Sequence, residues 1–105
     1  MAYDVVATER FVQDYDDALG YIAVELGGPQ AAAQLADKIA HIRSLLAENP
    51  LLFGFLRNER LRARNVRACP VKKYLVAYSI EGDTVYLVRL LHQSQAYDDG
   101  RLWGE

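Results

Sequence analysis

Two segments decide the fold of this chain: Tyr-Leu-Val-Ala-Tyr-Ser-Ile at residues 74–80 and Thr-Val-Tyr-Leu-Val-Arg-Leu-Leu-His at residues 84–92. Aromatic and β-branched residues dominate both, which is typical of β-strands. Between them, Glu-Gly-Asp at residues 81–83 places a glycine where a hairpin turn needs a positive φ angle. Apart from Ser79 and Arg89, both strands are apolar on both faces. We therefore predict that the hairpin is central in its sheet or that its second face is covered.

The half of the chain before the hairpin has helical periodicity. Residues 3–7 predict a first strand, and Thr8 stands where a helix N-cap is expected. Apolar residues then recur at steps of three and four, which predicts one buried helical face. They are Phe11, Val12, Tyr15, Ala18, Leu19, Ile22, Ala23 and Leu26. We interpret the other face, with Asp14, Asp16, Asp17 and Glu25, as exposed to solvent.

Gly-Gly-Pro at residues 27–29 ends the first helix and begins a second one. The second helix has apolar residues at positions 32, 35, 36, 39, 42, 45 and 46. It is predicted to end at Asn49 and Pro50, because proline cannot continue the hydrogen-bond ladder. Two helices joined so tightly predict an antiparallel helical hairpin.

Charge is unevenly distributed along the chain. Seven of the twelve basic residues lie in residues 57–73, which carry a balance of +6. Residues 1–56 carry −5 and residues 74–105 carry −3, which gives the net charge of −2. The basic segment could bind an acidic partner or nucleic acid, although the whole molecule would not. Arg62, Arg64 and Arg67 alternate with other residue types as at the start of a strand, and Pro70 is expected to end or bulge that strand.

The composition predicts one domain over residues 1–105. No apolar run approaches a membrane span, and the N-terminus does not resemble a secretory signal, so we expect a cytoplasmic protein. Cys69 is the single cysteine, which indicates a buried apolar side chain rather than a disulfide or metal site, and no cofactor or metal is expected. The predicted order is β-α-α-β-β-β: an α+β fold in which the N-terminal strand and a helical hairpin pack on a small, mostly antiparallel sheet. Residues 95–103 are predicted to form a short C-terminal helix or tail.

The ordered landmarks of the chain resemble the RelE/ParE superfamily, the toxins of bacterial type II toxin–antitoxin systems. They are residues 3–8, Ile22 and Ala23, Pro50, Arg62, and above all the strand pair at residues 74–78 and 85–92. That pair is similar to the final two strands of the ParE branch. The resemblance covers nearly the whole chain.

The resemblance implies a small cytoplasmic toxin of a plasmid-stabilisation module, neutralised by an antitoxin encoded beside it. In the ParE branch the implied action is growth arrest through DNA gyrase or a similar target. The RelE branch implies metal-independent endonucleolytic cleavage of mRNA on the ribosome. An inactive member that only binds protein is a third alternative. A homodimer and a toxin–antitoxin hetero-oligomer both fit the resemblance.

Cleavage of RNA without a metal needs a general base, cations that stabilise the phosphorane, and a general acid. The residues that resemble such a set are Arg62, Arg64, Arg67, Arg89, His92 and Tyr97. Three alternatives stand beside this hypothesis: Arg89 pairs with an acid of the helical hairpin, His92 bonds to backbone, and the basic segment receives an acidic antitoxin. The net acidic chain and the acids Asp98 and Asp99 disfavour phosphate binding, so a ParE-like action is expected over a nuclease.

Overall fold

The structure is a computed structural model of the chain that describes residues 2–26, 28–55 and 65–93. The elements in chain order are β1 (Asp4–Ala7), α1 (Glu9–Tyr21), a π-helical segment (Ile22–Leu26), α2 (Pro29–Glu48), β2 (Arg67–Val71), β3 (Tyr74–Glu81) and β4 (Thr84–His92). This is the predicted α+β order of strand, two helices and three strands. The predicted C-terminal helix or tail lies outside the described residues.

Helix α1 begins as the sequence predicts. The Thr8 hydroxyl accepts a hydrogen bond from the Phe11 amide at 3.1 Å, which is N-cap geometry. Phe11, Ala18 and Ile22 are buried on the predicted face. The prediction was wrong for Val12, which is 45% exposed. The next residue of a helix is rotated by about 100°, so Val12 lies beside the contact line on which Phe11 lies.

Helix α2 begins at Pro29, directly after Gly28, whose φ of +80° suits glycine. It ends at Glu48, immediately before Asn49 and Pro50, as predicted. Its buried residues, Leu35, Ile39, Ile42 and Leu46, follow steps of four, three and four. They face the sheet and form the main core with residues of β2, β3 and β4.

The sheet has four strands in the order β1-β4-β3-β2. Strand β1 pairs with β4 in parallel, and the other two pairs are antiparallel. The β3–β4 hairpin is therefore central, which confirms the first of the two explanations for its apolar faces. Val76 and Tyr78 of β3 lie in the main core, whereas Leu75 and Ala77, on the opposite face, form a second buried cluster with Val66.

Strand β4 contains a bulge. Ala77 pairs with Arg89 and Tyr78 pairs with Leu87, so Val88 is an extra residue in β4. A bulge of this kind changes the direction of neighbouring side chains. Residues 84–92 contain no glycine or proline, and nothing in the sequence predicted the bulge.

Strand β2 departs from the prediction at Pro70. Pro70 was expected to end or bulge this strand, but it lies inside β2 and pairs with Leu75. Because β2 is at the edge of the sheet, the missing N–H of proline costs no ladder hydrogen bond when that side of the residue faces outward. Cys69 beside it is 1% exposed, which confirms that it is a buried side chain.

Candidate functional site

A cleft of about 960 Å³ lies between α1, the start of α2 and the last residues of β4. Its floor is apolar and includes Ala18, Ile22, Leu35 and Leu90. Its rim is polar and includes Arg10, Asp17, Tyr21, Lys72, Lys73, Tyr74 and His92. A concave apolar surface with a few polar groups around it is the usual form of a binding site.

Arg89 forms one wall of this cleft and is held by Asp14 of α1. Its Nε donates to Asp14 Oδ2 at 2.6 Å and its Nη2 donates to Oδ1 at 3.1 Å. The Leu90 amide also donates to Asp14 Oδ2, at 3.0 Å. Arg89 is 7% exposed and the Asp14 side chain is 12% exposed, so the pair is largely withdrawn from water. The interpretation of Asp14 as a solvated residue was wrong, and the alternative that Arg89 pairs with an acid of the helical hairpin is confirmed.

His92 ends β4 at the opening of the same cleft. It pairs across the sheet with Tyr74, and the two rings meet edge to face with centroids 5.5 Å apart. Burial raises the pKa of the Tyr74 hydroxyl, and the nearby Tyr21 hydroxyl adds to the rise. The backbone amide of the next residue, Gln93, donates a hydrogen bond to the backbone carbonyl of Lys73 at 2.7 Å. The end of β4 is thus fastened to the turn that joins β2 and β3.

Arg67 lies elsewhere. It pairs with Tyr78, four residues along β3 from Tyr74, which is roughly 13 Å at the usual rise of a strand. Its Nη1 donates to the Phe53 carbonyl at 2.8 Å, and its guanidinium carbon lies 4.3 Å from the centre of the Phe55 ring. Such a stacked, hydrogen-bonded arginine attaches the loop after α2 to the sheet.

Tyr78 and Cys69, both buried near Arg67, carry raised pKa values. The Tyr78 hydroxyl donates to the Pro50 carbonyl at 2.7 Å. Burial is the main cause that raises its pKa to about 12, and burial raises the pKa of the Cys69 thiol to about 11. Neither side chain is ionised at neutral pH. A nucleophilic role for Cys69 is therefore disfavoured on physical grounds.

Of the six residues predicted for catalysis, the structure brings Arg89 and His92 into one cleft and places Arg67 away from it. Arg62, Arg64 and Tyr97 lie outside the described residues. Sequence reasoning missed the roles of Arg10, Tyr21, Lys72 and Lys73 in the rim. The two lysines had a signal, because they stand between two strand segments where only a two-residue turn fits.

Within residues 2–26, 28–55 and 65–93, no three His, Cys, Asp or Glu side chains lie together as a metal site would need. Neither of the helices described above is long and apolar enough to cross a membrane.

Comparison with solved structures gives similar folds. A chain of the chromosomal ParDE TA system from P. aeruginosa is similar over 87% of this chain and 96% of its own length, with a TM-score of 0.70 and 16% identity. A chain of the toxin–antitoxin complex RelBE2 from Mycobacterium tuberculosis is similar over 88% of this chain and 99% of its own, with a TM-score of 0.61 and 20% identity. A conserved hypothetical protein from Helicobacter pylori is similar over 88% of this chain and 96% of its own length, with a TM-score of 0.59 and 20% identity.

Comparison with curated protein sequences gives no match. The sequence model that describes the ParE toxin of the type II toxin–antitoxin system parDE matches residues 5–97. This match runs from β1 through β4 and includes the cleft, the Asp14–Arg89 pair and His92. The chain therefore belongs to the ParE toxin family of type II toxin–antitoxin systems.

Proposed function

We propose that this chain arrests growth by acting on DNA gyrase or a similar target, and that a cognate antitoxin neutralises it. Membership of the ParE toxin family supports the first part. For the second part, support comes from the similarity to chains of a ParDE system and of a RelBE2 toxin–antitoxin complex.

The observation that carries the proposal over a nuclease is the state of the two described candidate arginines. The Arg89 guanidinium forms an ion pair with Asp14 through two hydrogen bonds. Arg67 is held between the Phe53 carbonyl and the Phe55 ring. A cation that stabilises a phosphorane must be directed at the phosphate and not already neutralised. Arg89 is buried against the carboxylate of Asp14, so it does not meet this condition.

A RelE-like mRNA endoribonuclease remains the second candidate, and one observation favours it. His92, whose imidazole is of the type that can act as a general base, stands beside Tyr74 at the same end of the cleft as Lys72 and Lys73. Such a group has the residue types of a general base and of phosphate-binding cations. In this alternative His92 is the residue on which activity depends.

Expression in bacteria with and without the neighbouring gene tests the proposal. We expect growth arrest from the chain alone and recovery when the neighbouring gene is expressed with it. Under the ParE-like proposal, arrested cells accumulate DNA breaks while their mRNA stays intact. Codon-specific mRNA cleavage without DNA breaks would instead establish the second candidate. Normal growth at full expression of folded protein would identify an inactive, protein-binding member.

The two histidines of the chain provide a matched pair of variants. His92→Ala changes the cleft, whereas His41→Ala changes an exposed position of α2 outside it. We expect His41→Ala to leave growth arrest unchanged in every case. If the chain is a nuclease, His92→Ala should lower the rate of mRNA cleavage by about a hundredfold or more, as the loss of a general base does. Arg89→Ala is not a useful test of chemistry, because it leaves the largely buried Asp14 with only the partly exposed Arg10, at 3.8 Å, as a counter-charge and destabilises the fold.

A further inference from the structure

We propose that the loop after α2, residues 49–55, inserts two leucine side chains into an apolar pocket of the folded protein on which this chain acts. None of these residues lines the cleft described above. In this arrangement Leu51 and Leu52 fill the pocket, and acidic side chains at its rim face Arg67. The inference rests on the proposed function, because it requires a target protein. It adds which surface of this chain meets that target and which chemistry the meeting surface has.

The loop after α2 exposes a large apolar surface for its length. Three of the seven large hydrophobic side chains that are exposed within residues 2–26, 28–55 and 65–93 belong to it. They are Leu51 at 64%, Leu52 at 51% and Phe55 at 39%. Together these fractions equal about one and a half fully exposed large side chains, which is on the order of 300 Å². Exposed apolar surface of this size in one place is often a contact site.

The loop is also held firmly in place. Three of its backbone carbonyls accept hydrogen bonds from the sheet. The bonds run from the Tyr78 hydroxyl to Pro50 at 2.7 Å, from Arg67 Nη1 to Phe53 at 2.8 Å, and from the Ala68 amide to Gly54 at 3.0 Å. Because the two leucines lie between Pro50 and Phe53, their backbone is fixed on both sides. A contact surface that is ordered beforehand loses less conformational entropy when it binds.

Only the side chains of the two leucines are left for a partner. The Leu51 amide donates to Asn49 Oδ1 at 3.3 Å, and the Leu52 amide donates to the Asn49 carbonyl at 3.2 Å. Phe53, the next residue, turns inward and packs against the main core. The loop therefore satisfies its own amides and anchors itself through Phe53, while Leu51 and Leu52 point out of the fold. A partner gains from them by burying apolar surface.

A folded protein fits this surface better than a peptide segment or a second copy does. Both leucines are more than half exposed, so they stand out from the surface and do not line a concavity. A protruding apolar group needs a concave apolar pocket, which a folded protein offers and an extended segment does not. About 300 Å² is also well below the roughly 800 Å² per partner of a stable interface, so two such loops alone would not hold a dimer.

Charge indicates the rim of that pocket. The chain continues from this loop into the basic segment, residues 57–73, which carries a balance of +6. Arg67 of that segment lies against the loop, with its guanidinium carbon 4.3 Å from the centre of the Phe55 ring. Acidic side chains around an apolar pocket complement this arrangement.

Two serine double variants test the inference. Leu51→Ser with Leu52→Ser removes both leucine side chains but keeps the backbone hydrogen bonds of the loop. Val12→Ser with Val24→Ser is the matched control, because it removes two apolar side chains, 45% and 80% exposed, outside the loop and the cleft. DNA breaks are measured in bacteria that express each chain at an equal level of folded protein. We expect the loop variant to lower them about tenfold or more, and the control less than about twofold.

A conservative variant distinguishes apolar contact from a structural effect. Leu51→Met with Leu52→Met keeps nearly the same apolar volume, so we expect DNA breaks within about twofold of the unchanged chain. Leu51→Ser alone is measured as well, and it should lower DNA breaks about threefold or more even if the double variant folds poorly. Calorimetric titration with the purified protein encoded beside the chain should give a Kd within about twofold of the unchanged value for every variant. Circular dichroism and Tm show that each variant is folded.

The other outcomes overturn the inference in distinguishable ways. Undiminished DNA breaks from the folded serine variants refute the loop as the contact but leave the proposed function intact. If the unchanged chain causes no DNA breaks, the proposed function fails and the inference fails with it. A tenfold rise in the Kd for the neighbouring protein assigns the loop to the antitoxin. Dimers of the unchanged chain in sedimentation that Leu51→Ser with Leu52→Ser dissociates assign it to a second copy.

Discussion

The Asp14–Arg89 pair should be among the most sensitive contacts of the fold. Asp14→Asn keeps the shape of the side chain and one oxygen for the Leu90 amide, but it removes the charge opposite Arg89. Because Arg89 is 7% exposed, its guanidinium is then buried without a counter-charge. Breaking one side of a buried ion pair costs about 3–5 kcal/mol. We take about 3 kcal/mol here, because the Asp14 side chain retains 12% exposure.

Urea unfolding followed by circular dichroism measures this loss. For a domain of this size, about 3 kcal/mol corresponds to a fall in Tm of roughly 12–24 °C. Asp16→Asn is the matched control, since Asp16 is an exposed acid on the same helix, and it should change stability by less than about 0.5 kcal/mol. The m-value should stay constant, which shows that the native state and not the unfolded chain is affected.

A double variant separates the charge from the hydrogen bond. Asp14→Leu with Arg89→Met removes both charges, so no uncompensated charge remains. The Leu90 amide then lacks its acceptor, which costs about 1–3 kcal/mol. We therefore expect the double variant to be more stable than Asp14→Leu alone and less stable than the unchanged chain. If Asp14→Asn has the stability of the unchanged chain, the argument from the buried pair is wrong.

Three further predictions concern single positions. Because burial raises the pKa of Cys69 from 9.0 to about 11 and that of Tyr78 from 10.0 to about 12, the folded state keeps these protons longer than the unfolded chain does. The contribution of these two groups to stability is thus full below about pH 9 and is lost as the pH rises to 12. In thermal melts, Cys69→Ala should lessen the fall in the free energy of unfolding between pH 9 and 11 by roughly 2–3 kcal/mol. An equal dependence of stability on pH in the variant and the unchanged chain would refute this. Lys72 has a φ of +55°, so Lys72→Gly should raise the free energy of unfolding by about 0.5–1 kcal/mol in urea, whereas Lys73→Gly, without a positive φ, should not. Thr8→Ala should cost about 1–2 kcal/mol in urea because it removes the N-cap of α1, Thr8→Ser should restore most of this, and equal losses for both would point to the methyl group instead.

Much of the fold was predictable because it depends on neighbours in the sequence. Thr8, Pro29 and Pro50 mark helix ends through local backbone chemistry, and the spacing of Leu35, Ile39, Ile42 and Leu46 already defines the inner face of α2. The β3–β4 hairpin follows from strand-forming residues around Gly82, whose φ is +59°. In each case the physical cause acts over a few residues, so it can be read from composition and spacing.

The candidate site was less predictable, because its contacts join distant residues. Asp14 and Arg89 are 75 positions apart, and only the packing of α1 on β4 makes them partners. The bulge at Val88 stands beside Arg89, and periodicity alone gave no sign of it. The sequence predicted that Pro70 would end or bulge its strand. The strand order places β2 at the edge of the sheet, where the missing N–H of Pro70 costs no ladder hydrogen bond when it faces outward.

The sequence by itself determined the order of the elements, the start of α1, both ends of α2 and the central hairpin, since periodicity, capping and turn chemistry are local. It did not predict that α1 ends at Tyr21 and continues as a π-helical segment over Ile22–Leu26. It also contained the resemblance to the toxin superfamily, which the match over residues 5–97 confirmed. Only the tertiary structure decided that Arg89 is paired inside the fold, and that Lys72 and Lys73 meet Tyr21 around one apolar cleft. The physical reason is that burial and charge pairing depend on distances in space, and the spacing of residues along the sequence does not reveal those distances.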